Sequence, residues 1–364
     1  MKEKGFIRSA GIVSAGTFFS RITGLVRLQV IAYLFGYSQA TDAFWLAFTL
    51  PNLLRALFAE GALSSAFIPV FSEYCATGKK EEALRLANNI IFFLLLITGL
   101  ITACGVIFAP FYMPYFGIGF RENTQQLNLA ILLTQMMWPF LIFISLAAIS
   151  MAILNCWGHF FSPAFAPLFF NLSLIICGAV FISRFGIFSL AAGVLLGGAL
   201  QFLVQLPSLK KRGFKFKLII SLKDEGTKKV LKLILPAILG NLTLQISVAI
   251  TRVFASTLPE GSISGLQYAM RLIQFPLGIF PIALSTAIFP RLSALFSLND
   301  MEGVKKTFLV GVKTLSFLLI PSSFGIILLR EEIVRVLFQH GAFSFRDTLI
   351  TSQALLCYTI GLFA

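Results

Sequence analysis

Apolar runs long enough to cross a bilayer recur from end to end of the chain, and polar residues gather in the gaps between them. The runs fall at roughly 7–35, 41–73, 86–112, 126–153, 161–183, 187–207, 230–257, 263–291, 306–329 and 346–364. About 20 predominantly apolar residues suffice for a spanning helix. The apolar positions are continuous, not alternating, so they predict helices rather than the strands of a barrel. The expected fold is all-α, a polytopic transmembrane helical bundle.

The bundle is expected to be built from a repeat. Residues 66–72 read Ala-Phe-Ile-Pro-Val-Phe-Ser and residues 287–293 read Ala-Ile-Phe-Pro-Arg-Leu-Ser, an offset of 221 that also carries Glu81 onto Glu302. Gly-Phe-Arg-Glu at 119–122 resembles Ser-Phe-Arg-Asp at 344–347, and Pro51 has a counterpart within a few residues in Pro276. The period is six spans. An even number gives both copies the same orientation, related by a pseudo-two-fold axis along the membrane normal. The chain then divides into an N-terminal lobe of six helices (1–209), a basic linker (210–229) and a C-terminal lobe of about four (230–364). Ala364 falls about where Pro139 sits in the first copy, inside a fourth span. The second pseudo-symmetric lobe is therefore truncated, and the chain is expected to be part of a longer protein.

Composition supports the membrane assignment and leaves no room for a soluble domain of ordinary size. Hydrophobic residues make up 57% of the chain, charged residues 12%, and the mean hydropathy is +0.89. A net charge of +14 invites a nucleic-acid reading, but its distribution argues against one. Lys2, Lys4 and Arg8 open the chain, Lys79, Lys80 and Arg85 follow span two, eight basic residues fill 206–229, and Arg291, Lys305 and Lys306 follow span eight. With a cytoplasmic amino terminus all four clusters are cytoplasmic, as the positive-inside rule requires. Five cysteines without paired spacing read as small apolar filler, and His159 and His340 form no metal-ligand pattern. The first span is too long, and too broken by Arg21 and Arg27, for a cleaved signal peptide.

The candidate chemistry is five arginines inside apolar spans: Arg21, Arg27, Arg55, Arg252 and Arg271. A guanidinium stays charged at any accessible pH, and each costs at least about 2.5–3.5 kcal/mol to insert. Intramembrane carboxylates are fewer, chiefly Asp42 and Glu60. The cationic surplus predicts a membrane cavity for an anion, and the planar fork of arginine suits phosphate. Pro51 and Gly61 predict a kink in span two, of the kind tolerated where a helix faces a cavity. Arg55 and Glu60 are about 140° apart around a helix, a poor geometry for a local ion pair, so Arg55 is expected to face the cavity. Arg21 and Arg27 lie about 9 Å apart along the axis and about 120° apart around it, and can flank one broad cavity. Snorkelling to the membrane surface is an alternative for Arg27 or Arg252. Thr41-Asp42 also reads as an ordinary helix N-cap. The sequence carries no Walker loop, no HExxH and no nucleophile elbow, so neither catalysis nor a cofactor is expected. Transport would be driven by an ion gradient, the membrane potential or a partner.

Several segments closely resemble the bacterial MurJ/MviN lipid II flippases. They are Ser20-Arg-Ile-Thr-Gly-Leu-Val-Arg27, Ala40-Thr-Asp-Ala-Phe44, Leu50-Pro-Asn-Leu-Leu-Arg55, Phe58-Ala-Glu-Gly61 and Ala66-Phe-Ile-Pro69. Ala152-Ile-Leu-Asn155, Pro163-Ala-Phe-Ala-Pro167 and Gln205-Leu-Pro207 belong with them. The resemblance implies two six-helix lobes around a cationic central cavity, followed by two further helices. It implies an integral protein of the bacterial cytoplasmic membrane that moves undecaprenyl-diphosphate-linked peptidoglycan precursor between leaflets. Matched position by position, the substrate-binding residues would be Arg21, Arg27, Asp42, Arg55 and Arg271, with Glu60 and Arg252 as secondary candidates. The implied partners are lipid II, membrane lipids and envelope-synthesis proteins; no coupling ion is assigned. One departure is Met270, which stands before Arg271 where many members are expected to carry an acidic residue. The alternatives are a flippase for another polyprenyl-diphosphate glycan and a cation-coupled drug exporter of the same fold. A non-transporting scaffold is a rival of another class. Cationic drugs would favour carboxylates, and a scaffold gives buried arginines no use.

Overall fold

The computed structural model describes residues 3–58, 63–217, 219, 221 and 224–363. Its helices are α1 (Glu3–Phe35), α2 (Gln39–Arg55), α3 (Leu63–Ala76), α4 (Lys80–Ile107), α5 (Ala109–Phe116), α6 (Thr124–Met137), α7 (Phe140–Cys156), α8 (Phe161–Phe185), α9 (Phe188–Leu203), α10 (Leu206–Lys211), α11 (Glu225–Ser256), α12 (Ser262–Ser297), α13 (Met301–Phe338) and α14 (Phe345–Ile360). Among the described residues there is no strand.

Short polar side chains start many of these helices. Ser38 accepts from the Thr41 N–H at 3.2 Å, Asn123 from Gln126 at 3.1 Å, Asp224 from Thr227 at 2.8 Å and Asp300 from Gly303 at 2.8 Å. Each satisfies a donor that the helix itself leaves unpaired. Ser344 and Asp347 form a reciprocal capping box ahead of α14. Prolines mark the breaks. Pro110 opens α5 just after α4 ends, and Trp138-Pro139 separates α6 from α7. The α2 helix runs through Pro51 and passes into a π-helical turn at 56–58, while Glu60 and Gly61 lie outside the described residues.

The repeat is visible in the helix starts. Lys80 opens α4 and Met301 opens α13; Thr124 opens α6 and Phe345 opens α14; the offset is 221 each time. Seven of the ten expected spans coincide with helices long and apolar enough to cross a membrane. The other three fall on α2 with α3, on α12 and on α14. The first pair carries one expected span on helices of 17 and 14 residues, and α14 has 16.

Helix α8 packs between α1 and α9, α7 packs on α9, α4 and α3, and α2 packs on α6. The other group is α12, α13 and α14, each against the other two. One apolar core, with Phe44, Phe140, Tyr268 and Phe338, joins the groups. A second, with Phe67, Phe71, Ile153 and Val230, lies at the end of the bundle that carries the basic clusters. There an extended strap leads from α10 toward α11, held by two buried asparagines of α4. The Lys217 N–H donates to Asn88 Oδ1 at 2.8 Å, and Asn88 Nδ2 donates to Lys215 O at 3.1 Å. Asn89 pairs with both backbone groups of Ser221 in the same manner.

The exposure of α12 reports the space between the groups. Ile263, Ser264, Tyr268, Ala269 and Ile273 are buried, whereas no described residue of 284–297 is. The groups meet at the end where α2 and α12 begin, and they part toward the basic end.

Candidate functional site

Four of the five arginines line a single cavity of about 530 Å³ between the helix groups. Arg27 comes from α1, Arg55 from the end of α2, Arg252 from α11 and Arg271 from α12. The fifth, Arg21, lines an adjoining pocket of about 300 Å³ that shares Arg271 and Gln274 with the first. Both volumes are of ligand-binding size taken together.

Each guanidinium is positioned differently. Arg27 lies 5.4 Å over the Phe170 ring, and its buried Nε has no hydrogen-bond partner. Arg55 Nε donates to Asn52 Oδ1 at 2.9 Å. Arg271 Nη1 donates to Gln274 Oε1 at 3.1 Å. Arg252 is the most embedded, 9% exposed, and donates to Ile263 O at 2.8 Å and to Gln267 Oε1. Neither Arg27 nor Arg252 snorkels: both side chains line the shared polar cavity.

Glycines bring Arg21 and Arg271 to the opposite helix. A Cβ on Gly24 of α1 would stand 2.5 Å from Arg271 Nη2, and one on Gly278 of α12 would strike the Arg21 guanidinium. The Arg21 guanidinium therefore lies over Gly278, and Arg271 reaches Gly24 with the tip of its fork. Two like charges side by side without a carboxylate are unfavourable in a low-dielectric site. An anion bridging them relieves that repulsion.

No carboxylate lines either pocket among the described residues. The remaining polar lining is neutral: the hydroxyls of Ser20 and Thr49 and the amides of Asn52, Asn171, Gln201, Gln205, Gln245, Gln267 and Gln274. The amides are what the sequence reading missed. Their only signal was spacing, such as Gln201 with Gln205 one turn apart, and amides in helices are common enough to pass unnoticed. Asn171 fixes α8 to α1 by donating to Ser20 O at 3.0 Å and to Thr23 Oγ1 at 3.1 Å. Among the described residues no three His, Cys, Asp or Glu side chains converge as metal ligands.

Asp42 stands apart from the arginines. It is 3% exposed and lines neither pocket. Nor does it cap its own helix, as one sequence reading had it, because Ser38 does. Its carboxylate instead accepts from the Gly261 N–H at 2.7 Å, the Ser264 N–H at 2.9 Å and the Ser264 hydroxyl at 2.6 Å. Those donors open α12, so Asp42 ties the two helix groups together where they meet. Gly261 can present its N–H there because its φ of +90° suits glycine.

The geometry thus joins a closed end, a cationic cavity with neutral amides and a basic end toward which α12 is unburied. A family profile described as "Lipid II flippase MurJ" matches residues 31–364. A probable lipid II flippase MurJ of Vibrio cholerae is 38% identical over 370 residues, covering 99% of this chain and 70% of that protein. The lipid II flippase MurJ of Burkholderia cenocepacia is 34% identical over 357 residues, covering 96% of this chain and 69% of that protein. Among solved structures, a lipid II flippase MurJ in an inward closed conformation aligns with a TM-score of 0.82 at 35% identity, over 96% of this chain and 72% of that one. An inward-facing transporter of the multidrug resistance MATE family aligns at 0.73 with 18% identity, over 94% and 79%. That last likeness concerns the fold alone.

Proposed function

The chain belongs to the lipid II flippase MurJ family, and on that premise we propose that its arginine-lined cavity carries the diphosphate of lipid II while the two helix groups rock about it. The protein is a multi-pass membrane flippase for lipid II. The observation that carries the site reading is the convergence of Arg27, Arg55, Arg252 and Arg271 on one cavity with no carboxylate in its described lining. Fixed cations in a cavity walled by apolar helices attract a diphosphate more strongly than the same cations in bulk water. The amides then receive the neutral polar part of the head group, because they offer donors and acceptors without charge. The lipid tail stays in or beside the membrane.

In this reading the basic end faces the cytoplasm of the bacterium and the amino terminus lies on that side. The described conformation then opens inward, with Asp42 holding the outer end shut. Substrate bound in the cavity favours release of the outer contacts only through different affinity for the two states, with an ion or voltage bias completing the cycle.

Substitution at Arg271 tests the reading. Arg271→Ala removes charge and donors, and losing a hydrogen bond to a charged group costs about 1.5–3 kcal/mol. Binding of lipid II to the purified protein should weaken by about ten- to a hundredfold. Arg271→Lys keeps the charge but loses the fork and should retain part of the binding and part of the complementation. Parent-like binding and growth with both variants would overturn the role of this residue.

A further inference from the structure

The closed end is held by two carboxylates, not one, and they cross. Asp42, in the first turn of α2, accepts from the N–H groups of Gly261 and Ser264 at the start of α12. Glu260, two residues before α12, accepts through Oε1 from the Gln39 N–H, which opens α2, at 2.9 Å. Each helix start is thus completed by an acid from the other helix group. Helix N-termini carry unpaired N–H groups and partial positive charge, so both contacts have the right sign.

The arrangement follows from the repeat. Gln39 and Glu260 are 221 residues apart, and Asp42 and Ser264 are 222 apart, the offset that also relates α4 to α13. Positions equivalent under a two-fold axis meet one another where the axis passes, as at any self-complementary interface. The two halves are nevertheless unequal. Asp42 is buried, whereas Gln39 and Glu260 are exposed. Below them Tyr37 stacks on Tyr268, with ring centroids 6.1 Å apart, and hydrogen-bonds Thr351.

We propose that the crossed caps are the latch of this seam, and that Glu260 is a positioning residue whose release lets water reach the buried Asp42 half. The proposal rests on the flippase reading above, in which this seam is the outer one. Opening must break both caps, and the exposed one breaks first because water competes for its groups. The strength of the Glu260 contact therefore sets how often the cavity is reached from outside.

The test uses the membrane-embedded protein with its five cysteines replaced and Val248→Cys as reporter. Val248 lines the cavity on α11 and makes none of the latch contacts. A membrane-impermeant thiol reagent is added from each side in turn. Glu260→Ala should raise labelling from the outer side by about two- to fivefold, as expected for losing an exposed anion at a helix start. Gln39→Pro removes the donor of the same bond. Proline fits there, because Gln39 is the first helical residue and Ser38 before it is extended, with φ −148° and ψ 158°. It also removes the Asn123 Nδ2 bond to the Gln39 side chain, so it should raise labelling by at least a similar factor, and the double variant should not exceed Gln39→Pro alone, since Glu260 then has no donor left to accept from. Glu260→Gln, which keeps an acceptor oxygen, should have a smaller effect. Unchanged outer labelling in both single variants, or multiplied effects in the double variant, would overturn the latch. A reporter inert from both sides in the parent would overturn the cavity reading instead.

Discussion

Arg252 and Arg271 are the same residue type in the same cavity, yet they should fail differently when removed. Arg252 spends its guanidinium on Ile263 O and Gln267, tying α11 to α12. Arg252→Ala strands those acceptors in a buried place, at about 1–3 kcal/mol. The expected result is a melting temperature lowered by several degrees in detergent, with lipid II binding reduced mainly in step with the folded fraction. Arg271→Ala, which gives up a bond to exposed Gln274, should melt like the parent and lose binding. Matching melting curves for the two variants would refute the distinction. The arginines were legible in the sequence because a charge in an apolar run has few uses. Their division of labour was not, since it depends on which backbone carbonyl each one reaches. The partners of Asp42 were hidden for a related reason: they lie 219 and 222 residues away, and no local pattern names them.

Helices carry consequences that no single charge does. Gly24 lies one turn from Arg21 in α1, and its missing side chain is the space that Arg271 Nη2 occupies. Gly24→Ala displaces the end of a flexible side chain rather than any backbone. It should weaken lipid II binding severalfold while leaving the melting temperature unchanged, and Gly24→Leu should weaken it further. A fall in stability with unchanged binding would show that the glycine serves packing alone. The strap makes the opposite case. Asn88 is 4% exposed and bonds both Lys215 O and the Lys217 N–H. Asn88→Ala leaves the two groups to find water, so limited proteolysis should cut near 215–217 sooner than in the parent. Equal cleavage rates would mean that the asparagine does not hold the strap. Apolar runs located most helices, whereas the basic stretch at 210–229, expected as a linker, contains the end of α10 and the first turn of α11. The weak point expected at Pro51 falls inside α2, which continues to Arg55 before the π-helical turn at 56–58, while Gly61, the other expected weak point, lies outside the described residues. A proline loses one hydrogen bond, and packing against α6 and α12 holds the helix across that loss.

At the scale of the whole molecule the two ends of the bundle differ, and that asymmetry is what a flippase in one of its states must have. The shut end carries the crossed carboxylates and the tyrosine stack; the other end carries the strap, its lysines and the unburied stretch of α12. The repeat let the sequence foretell two related halves, but not which end would be closed, because both copies contain the residues for either state. Sidedness is therefore the decisive measurement. An epitope placed at the amino terminus and another after Gly213, an exposed turn with open space around it, should both be reached only when the cytoplasmic side is accessible. Six intervening spans require the same answer from both, and opposite answers would mean that one span has been miscounted. Val248→Cys in the parent should then react with an impermeant thiol reagent from that same side and only weakly from the other. Added lipid II should slow this reaction, since the diphosphate on the arginines fills the cavity that the reporter lines. The protection should weaken in Arg271→Ala at the same lipid concentration and return at higher concentration. Protection that is independent of Arg271 would place the lipid elsewhere on the protein, and the cavity would then need another ligand to account for its charge.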